Sequence, residues 1–194
     1  MQRGGMARAL RDPDVQAAFF ASPDPVALMV YEWSGRYNQA KLLDWTLIEN
    51  LDILNRAADT IGRSPRSHND FPTAMGYALG FAATELQAAP DCLFQTIDMS
   101  GDGINNDGFG PAEAYNAFPL ANVTVNGLVV NAAEFASEVN LISFYETEVI
   151  KGPGAFIEVA QGFEDYARAL RRKLIRELSA QIIGGLSQPV SSPG

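Results

Sequence analysis

The sequence predicts an α/β domain, a doubly wound and mainly parallel sheet with helices on both faces. Three observations lead there. Short apolar runs alternate with stretches whose apolar residues recur at helical spacing, the order that yields right-handed βαβ units. Turn residues bound most of the runs. A loop rich in Gly, Asp and Asn follows directly on one run, where open α/β sheets bind their ligands.

Residues 3–20 read as one helix that ends near Ser22-Pro23-Asp24-Pro25. The apolar run 26–31 is too short for a typical helix and is expected to be a buried strand. A polar loop, 34–39, leads to a weaker strand around 41–45. Leu51, Leu54, Ala58 and Ile61 then share one helical face, stopped at Gly62. Pro72 suits a first helical position, ahead of the stripe Met75, Leu79, Ala82 and Leu86. Residues 93–99 are expected as a strand, 111–118 as a short helix and 123–130 as a β-branched strand. A helix over 138–149, a strand over 155–159 and a helix over 163–183 follow, so the domain spans 1–183 and 184–194 is a Gly/Ser/Pro-rich tail. Strands 26–31, 93–99 and 123–130 are expected to lie parallel in one sheet.

Composition narrows the function. The chain has 194 residues, 47% hydrophobic and 19% charged, which suits one globular domain. A net charge of −9 argues against general nucleic-acid binding, which needs a basic face. No apolar run is long enough for a membrane helix. The first residues, MQRGGMARALRDPD, lack the apolar core of a secretory leader. One cysteine, Cys92, and one histidine, His68, rule out an intrachain disulfide, a cysteine-rich zinc site and Ser-His or Cys-His catalytic pairs of the usual kind.

The chemistry concentrates in Asp98-Met-Ser-Gly-Asp-Gly-Ile-Asn-Asn-Asp107. Carboxylates, amides and a hydroxyl are oxygen ligands for a hard cation such as magnesium or calcium. The same residues are also what tight turns are made of. An EF-hand reading fails because its twelfth position is Phe109. A phosphatase of the haloacid-dehalogenase type would need an upstream Asp-x-Asp nucleophile, which the sequence lacks.

Several segments, in order along residues 2 to about 178, resemble a bacterial branch of the von Willebrand factor type A superfamily. It is a domain of unknown function found mainly in exported proteins. The segments are Gln2-Arg3-Gly4 with Ala9-Leu10-Arg11-Asp12-Pro13, Tyr31-Glu32-Trp33-Ser34-Gly35, Trp45-Thr46 and Thr73-Ala74-Met75-Gly76 with Ala78-Leu79. Ile97-Asp98-Met99-Ser100-Gly101-Asp102-Gly103 with Asn105-Asn106, Asn126-Gly127-Leu128 and Gly152-Pro153-Gly154-Ala155-Phe156 complete the set. The resemblance implies a metal-ion-dependent adhesion site, usually holding magnesium, with Thr73 as its Thr and Asp102 as its third-loop Asp. Ser100 and Asp98 are further candidates. It also implies an exported or periplasmic placement, and a protein partner that completes the metal's coordination with an acidic side chain.

The family's Asp-x-Ser-x-Ser strand should precede the first helix, and Asp98-Met99-Ser100 lies on a later strand. The expectation is therefore a member with an incomplete site that binds magnesium weakly or not at all, either truncated or misassigned at its N-terminus, which is favoured, or divergent with a damaged site. Partner binding is expected at a rim formed by the loops 67–73 and 100–107, with His68, Asn69, Asp70, Asn105 and Asn106 facing the partner. The rival reading is a magnesium-dependent hydrolase using Asp98 and Asp102. Trp33 and Trp45 are expected to pack at the rim or core, Cys92 to be buried, and Arg168, Arg171, Arg172, Lys173 and Arg176 to form a solvated helix face.

Overall fold

A computed structural model describes residues 2–65, 72–131 and 137–185. The tail beyond Gly185 and the stretch holding His68, Asn69 and Asp70 lie outside the described residues. The order is α1 (Gln2–Leu10), α2 (Pro13–Phe19), β1 (Val26–Ser34), β2 (Asn38–Ile48), α3 (Leu51–Arg63), α4 (Met75–Leu86) and β3 (Gln95–Gly101). Then come α5 (Pro111–Ala117), β4 (Val123–Asn131), α6 (Ser137–Phe144), β5 (Ile157–Gln161) and α7 (Tyr166–Gly185). The α/β class is as the sequence predicts.

Strands β3, β4 and β5 form a parallel sheet in that order. Helices cover both of its faces, and β4 shows how. Leu128 and Val130 enter a cluster with Leu10, Leu54, Ile61, Leu170 and Leu174, from α1, α3 and α7. Val125 and Val129 enter another with Met75, Leu79, Ala114 and Tyr145, from α4, α5 and the turn after α6. Alternating side chains on one strand thus feed two helical layers.

The expectation that 26–31 belongs to the same sheet is wrong. β1 pairs antiparallel with β2 across a short turn, as a separate two-stranded sheet. The hairpin satisfies one edge of β1. Among the described residues no strand pairs with its other edge, nor with the edge of β3 opposite β4. Even so, β1 shares both helical layers: Val26, Leu28 and Val30 pack on the first cluster, Tyr31 and Trp33 on the second. The two sheets therefore continue one layer, with a slot between them.

Other differences have local causes. The first helix breaks in two because Pro13 restarts it, with the Asp12 carboxylate accepting from the Asp14 N–H at 3.0 Å. α4 begins at Met75 and not at Pro72, since the Pro72 carbonyl accepts from Gly35 and the Thr73 N–H donates to Asn106. β5 starts two residues later than expected, because the Phe156 N–H is taken by the Asn126 side chain. The helix after β4 ends in a π turn, Tyr145–Val149, which drives the Tyr145 ring onto Gly127. A Cβ there would lie 2.6 Å from Tyr145 Cδ1. Cys92 is exposed, against the expectation that it is buried: β3 starts only at Gln95, which leaves Cys92 out in the preceding loop.

Gly127→Ala is expected to lower stability by about 1–3 kcal/mol through overpacking. Urea unfolding measures it; an unchanged midpoint would mean that the π turn yields freely.

Candidate functional site

Three loops meet at the carboxyl ends of β1 and β3. The β1–β2 turn donates its Gly35 N–H to Pro72 O at 2.7 Å, and Arg36 Nε donates to Asp107 at 2.8 Å. The Thr73 carbonyl accepts from Asn106 N at 2.9 Å and Asp107 N at 3.2 Å. In return Asn106 Oδ1 accepts from Thr73 N, and Asn105 Oδ1 from Met75 N, both at 2.8 Å. Four hydrogen bonds thus join the 72–75 and 105–107 segments, and Thr73 Oγ1 lies 3.0 Å from where a Cβ on Gly103 would sit.

The arrangement sorts the candidates. Thr73, Ser100 and Asp102 come to the same rim, and all three border the slot between β1 and β3. The side-chain oxygens of Asn105 and Asn106 hold the rim together. His68, Asn69 and Asp70 lie outside the described residues. Asp98 is drawn elsewhere: it pairs with Lys173 Nζ, and it sits three residues before the end of β3, about 10 Å at ~3.3 Å per residue. Trp33 packs in the second cluster, and Trp45 Nε1 donates to Glu85 O at 3.1 Å.

Arg168, Arg172 and Arg176 are exposed as expected of a solvated face of α7, but Lys173 departs from it, since its side chain is fully buried. Its Nζ reaches Asp98 and, at 2.5 Å, Glu177 Oε1, which also accepts from Asn126 Nδ2 at 2.6 Å. Burial opposes the ammonium charge, but Asp98 first and Glu177 second outweigh it and hold the Lys173 pKa above the ordinary lysine value. Burial, followed by repulsion from Asp98, pushes Glu177 up to about 8. Residues 170, 173, 174, 177 and 178 form one helical stripe, so the periodicity contained the signal. Arg36 and Tyr145 carried none. The Tyr145 hydroxyl is fully buried beside Gly101 and has no hydrogen-bond partner among the described residues. Burial, then the Asp102 charge, keeps it neutral.

A divalent hard cation takes about six oxygen ligands, commonly including more than one carboxylate. Among the described residues the rim offers the carboxylate of Asp102, that of Asp107, which is paired with Arg36, and the hydroxyls of Thr73 and Ser100, of which Ser100 is engaged with Tyr166 Oη at 3.4 Å. Among the described residues no three His, Cys, Asp or Glu side chains group to hold a metal. This set does not fit a resident magnesium ion. No helix among the described residues is long and apolar enough to cross a membrane.

A family described as "Protein of unknown function (DUF1194)" matches residues 1–182. Among solved structures, a von Willebrand factor type A protein from Catenulispora acidiphila superposes with a TM-score of 0.58 at 16% identity, over 90% of this chain and 38% of that one. The pilus adhesin SpaC from Lactobacillus rhamnosus GG gives 0.58 at 12% identity, over 93% and 27%. The proximal thread matrix protein 1 of the mussel byssus gives 0.57 at 11%, over 92% and 42%. These likenesses establish a von Willebrand A-like fold. The glyoxysomal malate dehydrogenases of Cucumis sativus and Citrullus lanatus align at 28% and 27% identity over 84% of the chain, which spans about half their length (52% of each).

Two variants probe the buried charges. Lys173→Met leaves the Asp98 carboxylate without its cation and is expected to cost about 3–5 kcal/mol in chemical unfolding. Glu177 holds its proton in the folded state up to about pH 8 and unfolded only to about 4.5. Its contribution is therefore full below pH 4.5 and lost as pH rises through 8. Glu177→Gln should flatten the fall in melting temperature between about pH 5 and 8, and parallel curves for the two proteins would refute this assignment.

Proposed function

The chain belongs to the DUF1194 family, and on that footing we propose that it is a non-enzymatic, adhesion-type protein-binding module working through its carboxyl-end rim. The observation that carries this is the rim itself. Three separate loops are cross-linked by backbone and asparagine hydrogen bonds into a rigid platform around Thr73, Ser100 and Asp102. Rigid loops at strand ends are suited to recognition, because little ordering entropy is lost on contact.

Metal assistance belongs to this proposal only for a chain that brings more ligands to the rim, since the donor set present is too small. An exported or periplasmic placement is part of the same reading, supported by the resemblance to exported relatives. The hydrolase reading on Asp98 and Asp102 loses its support, because Asp98 is committed to Lys173. A dehydrogenase reading lacks the Gly-x-Gly-x-x-Gly loop, absent from the sequence.

Two measurements test the proposal. Calorimetry at millimolar magnesium should show little heat, whereas stoichiometric binding would mean a metal site built from residues other than these. A photo-cross-linking side chain at Asn106, compared with one at the exposed Asn122 ahead of β4, should capture a defined partner in the native organism only from the rim. Equal capture from both ends, or turnover of p-nitrophenyl phosphate that Asp98→Asn abolishes, would overturn it.

A further inference from the structure

Lys173, Asp98 and Glu177 form a cluster that the rim reading does not use. Lys173 Nζ touches Asp98 Oδ1 and lies 2.5 Å from Glu177 Oε1. The lysine side chain is fully buried, Glu177 is 9% exposed, and the Asp98 side chain keeps 32%. The Phe156 ring stands 5.7 Å from the ammonium and closes the nitrogen off further. Asn126 Nδ2 holds Glu177 in place, donating to the same Oε1 at 2.6 Å.

These groups have complementary chemistry. Lys173 carries a nucleophilic nitrogen, and it rests against the carboxyl group of Asp98. Burial and the Asp98 charge push the Glu177 pKa up to about 8, and the proton that Glu177 keeps is hydrogen-bonded to Asp98. Nucleophile, acyl group and proton donor are the parts that amide formation requires. In water an amine and a carboxylate stay apart, but two effects change the balance here. Holding the groups in contact supplies an effective molarity of about 10⁵–10⁸ M. Condensation also turns two buried charges into one neutral amide, which removes the desolvation penalty of the ion pair.

We propose that Lys173 and Asp98 condense to an intramolecular amide that ties α7 to β3, with Glu177 as the acid–base catalyst. The ion pair is the state before condensation. The ammonium first passes a proton to the Asp98 carboxylate, which leaves a neutral amine and a neutral carboxylic acid. Glu177 hydrogen-bonds the Asp98 carbonyl oxygen while the nitrogen lone pair attacks Cγ. As the N–Cγ bond forms, one N–H proton moves through Glu177 to the Asp98 hydroxyl. The Cγ–O bond then breaks and one water leaves past the exposed side of Asp98. Nothing is oxidised or reduced, and Glu177 ends with the proton it began with. The bond joins positions seventy-five residues apart, so the chain remains looped when it unfolds. This inference stands apart from the rim reading and shares no residue with its test by cross-linking.

Intact-mass spectrometry of the purified full chain, folded and kept for several days at neutral pH, reads the bond directly. The chain is expected to be lighter than its sequence by one water and to run faster on a denaturing gel than an unlinked variant. Proteolysis is expected to release a branched peptide in which Lys173 is joined to Asp98. Lys173→Arg, Asp98→Ala and Glu177→Gln are each expected at full mass, the last because it keeps both reacting groups and loses only the proton donor. Full mass in the wild-type chain overturns the proposal and leaves an ion pair only, whether or not the variants fold. A lost water that maps to Asp102-Gly103 or Asp107-Gly108 as a hydroxylamine-sensitive succinimide overturns it too, as does a lactam between Lys173 and Glu177 within α7. A Glu177→Gln chain that loses water as completely as the wild type overturns the role given to Glu177.

Discussion

A buried ammonium ties the architecture together. Lys173 projects from α7 to Asp98 on β3, and to Glu177, which itself grips Asn126 on β4. Asn126 passes the connection on through its Oδ1 to the Phe156 N–H, just before β5. One network thus joins α7 to β3, to β4 and to the residue that leads into β5. A charge buried at this depth is tolerated only with its partners in place. The network therefore sets where α7 lies along the sheet more sharply than the surrounding leucines can, because apolar contacts tolerate sliding and a buried ion does not.

The same kind of anchoring fixes both sheets to the helices. α7 is locked to β3 and β4, while α1 carries the Arg3–Glu32 ion pair to β1. On the opposite layer α4 takes Tyr31 through its hydroxyl, 2.9 Å from Ala78 O, and Trp45 through Glu85 O. Both sheets are thus fixed to the helices above and below, although they do not bond to each other. At the carboxyl ends the Gly35–Pro72 and Arg36–Asp107 contacts bridge the gap a third way. The helical layers and the rim together fix the positions of the two edges.

Much of this is legible in the residues. Alternating β-branched and amphipathic runs identify β1, β3, β4 and the helices to within a few residues, because burial on two faces leaves a plain periodic trace. The loop at the end of β3 is recognisable from its Gly and Asn content. The sheet division is not, since an apolar strand reads the same whether its neighbour is present or absent. Charge alone places Lys173 in water. Its spacing with Leu170, Leu174 and Leu178 puts it on the buried stripe, and here spacing is the stronger signal. Proximity in sequence groups Asp98 with Asp102. Along an extended strand, however, a residue's neighbours belong to other elements, and Asp98 answers to a helix seventy-five positions away.

The slot and the rim are one structure seen from two ends. The carboxyl mouth of the slot lies between Ser34 and Gly101, and the loops that crowd it are those carrying Thr73 and Asp102.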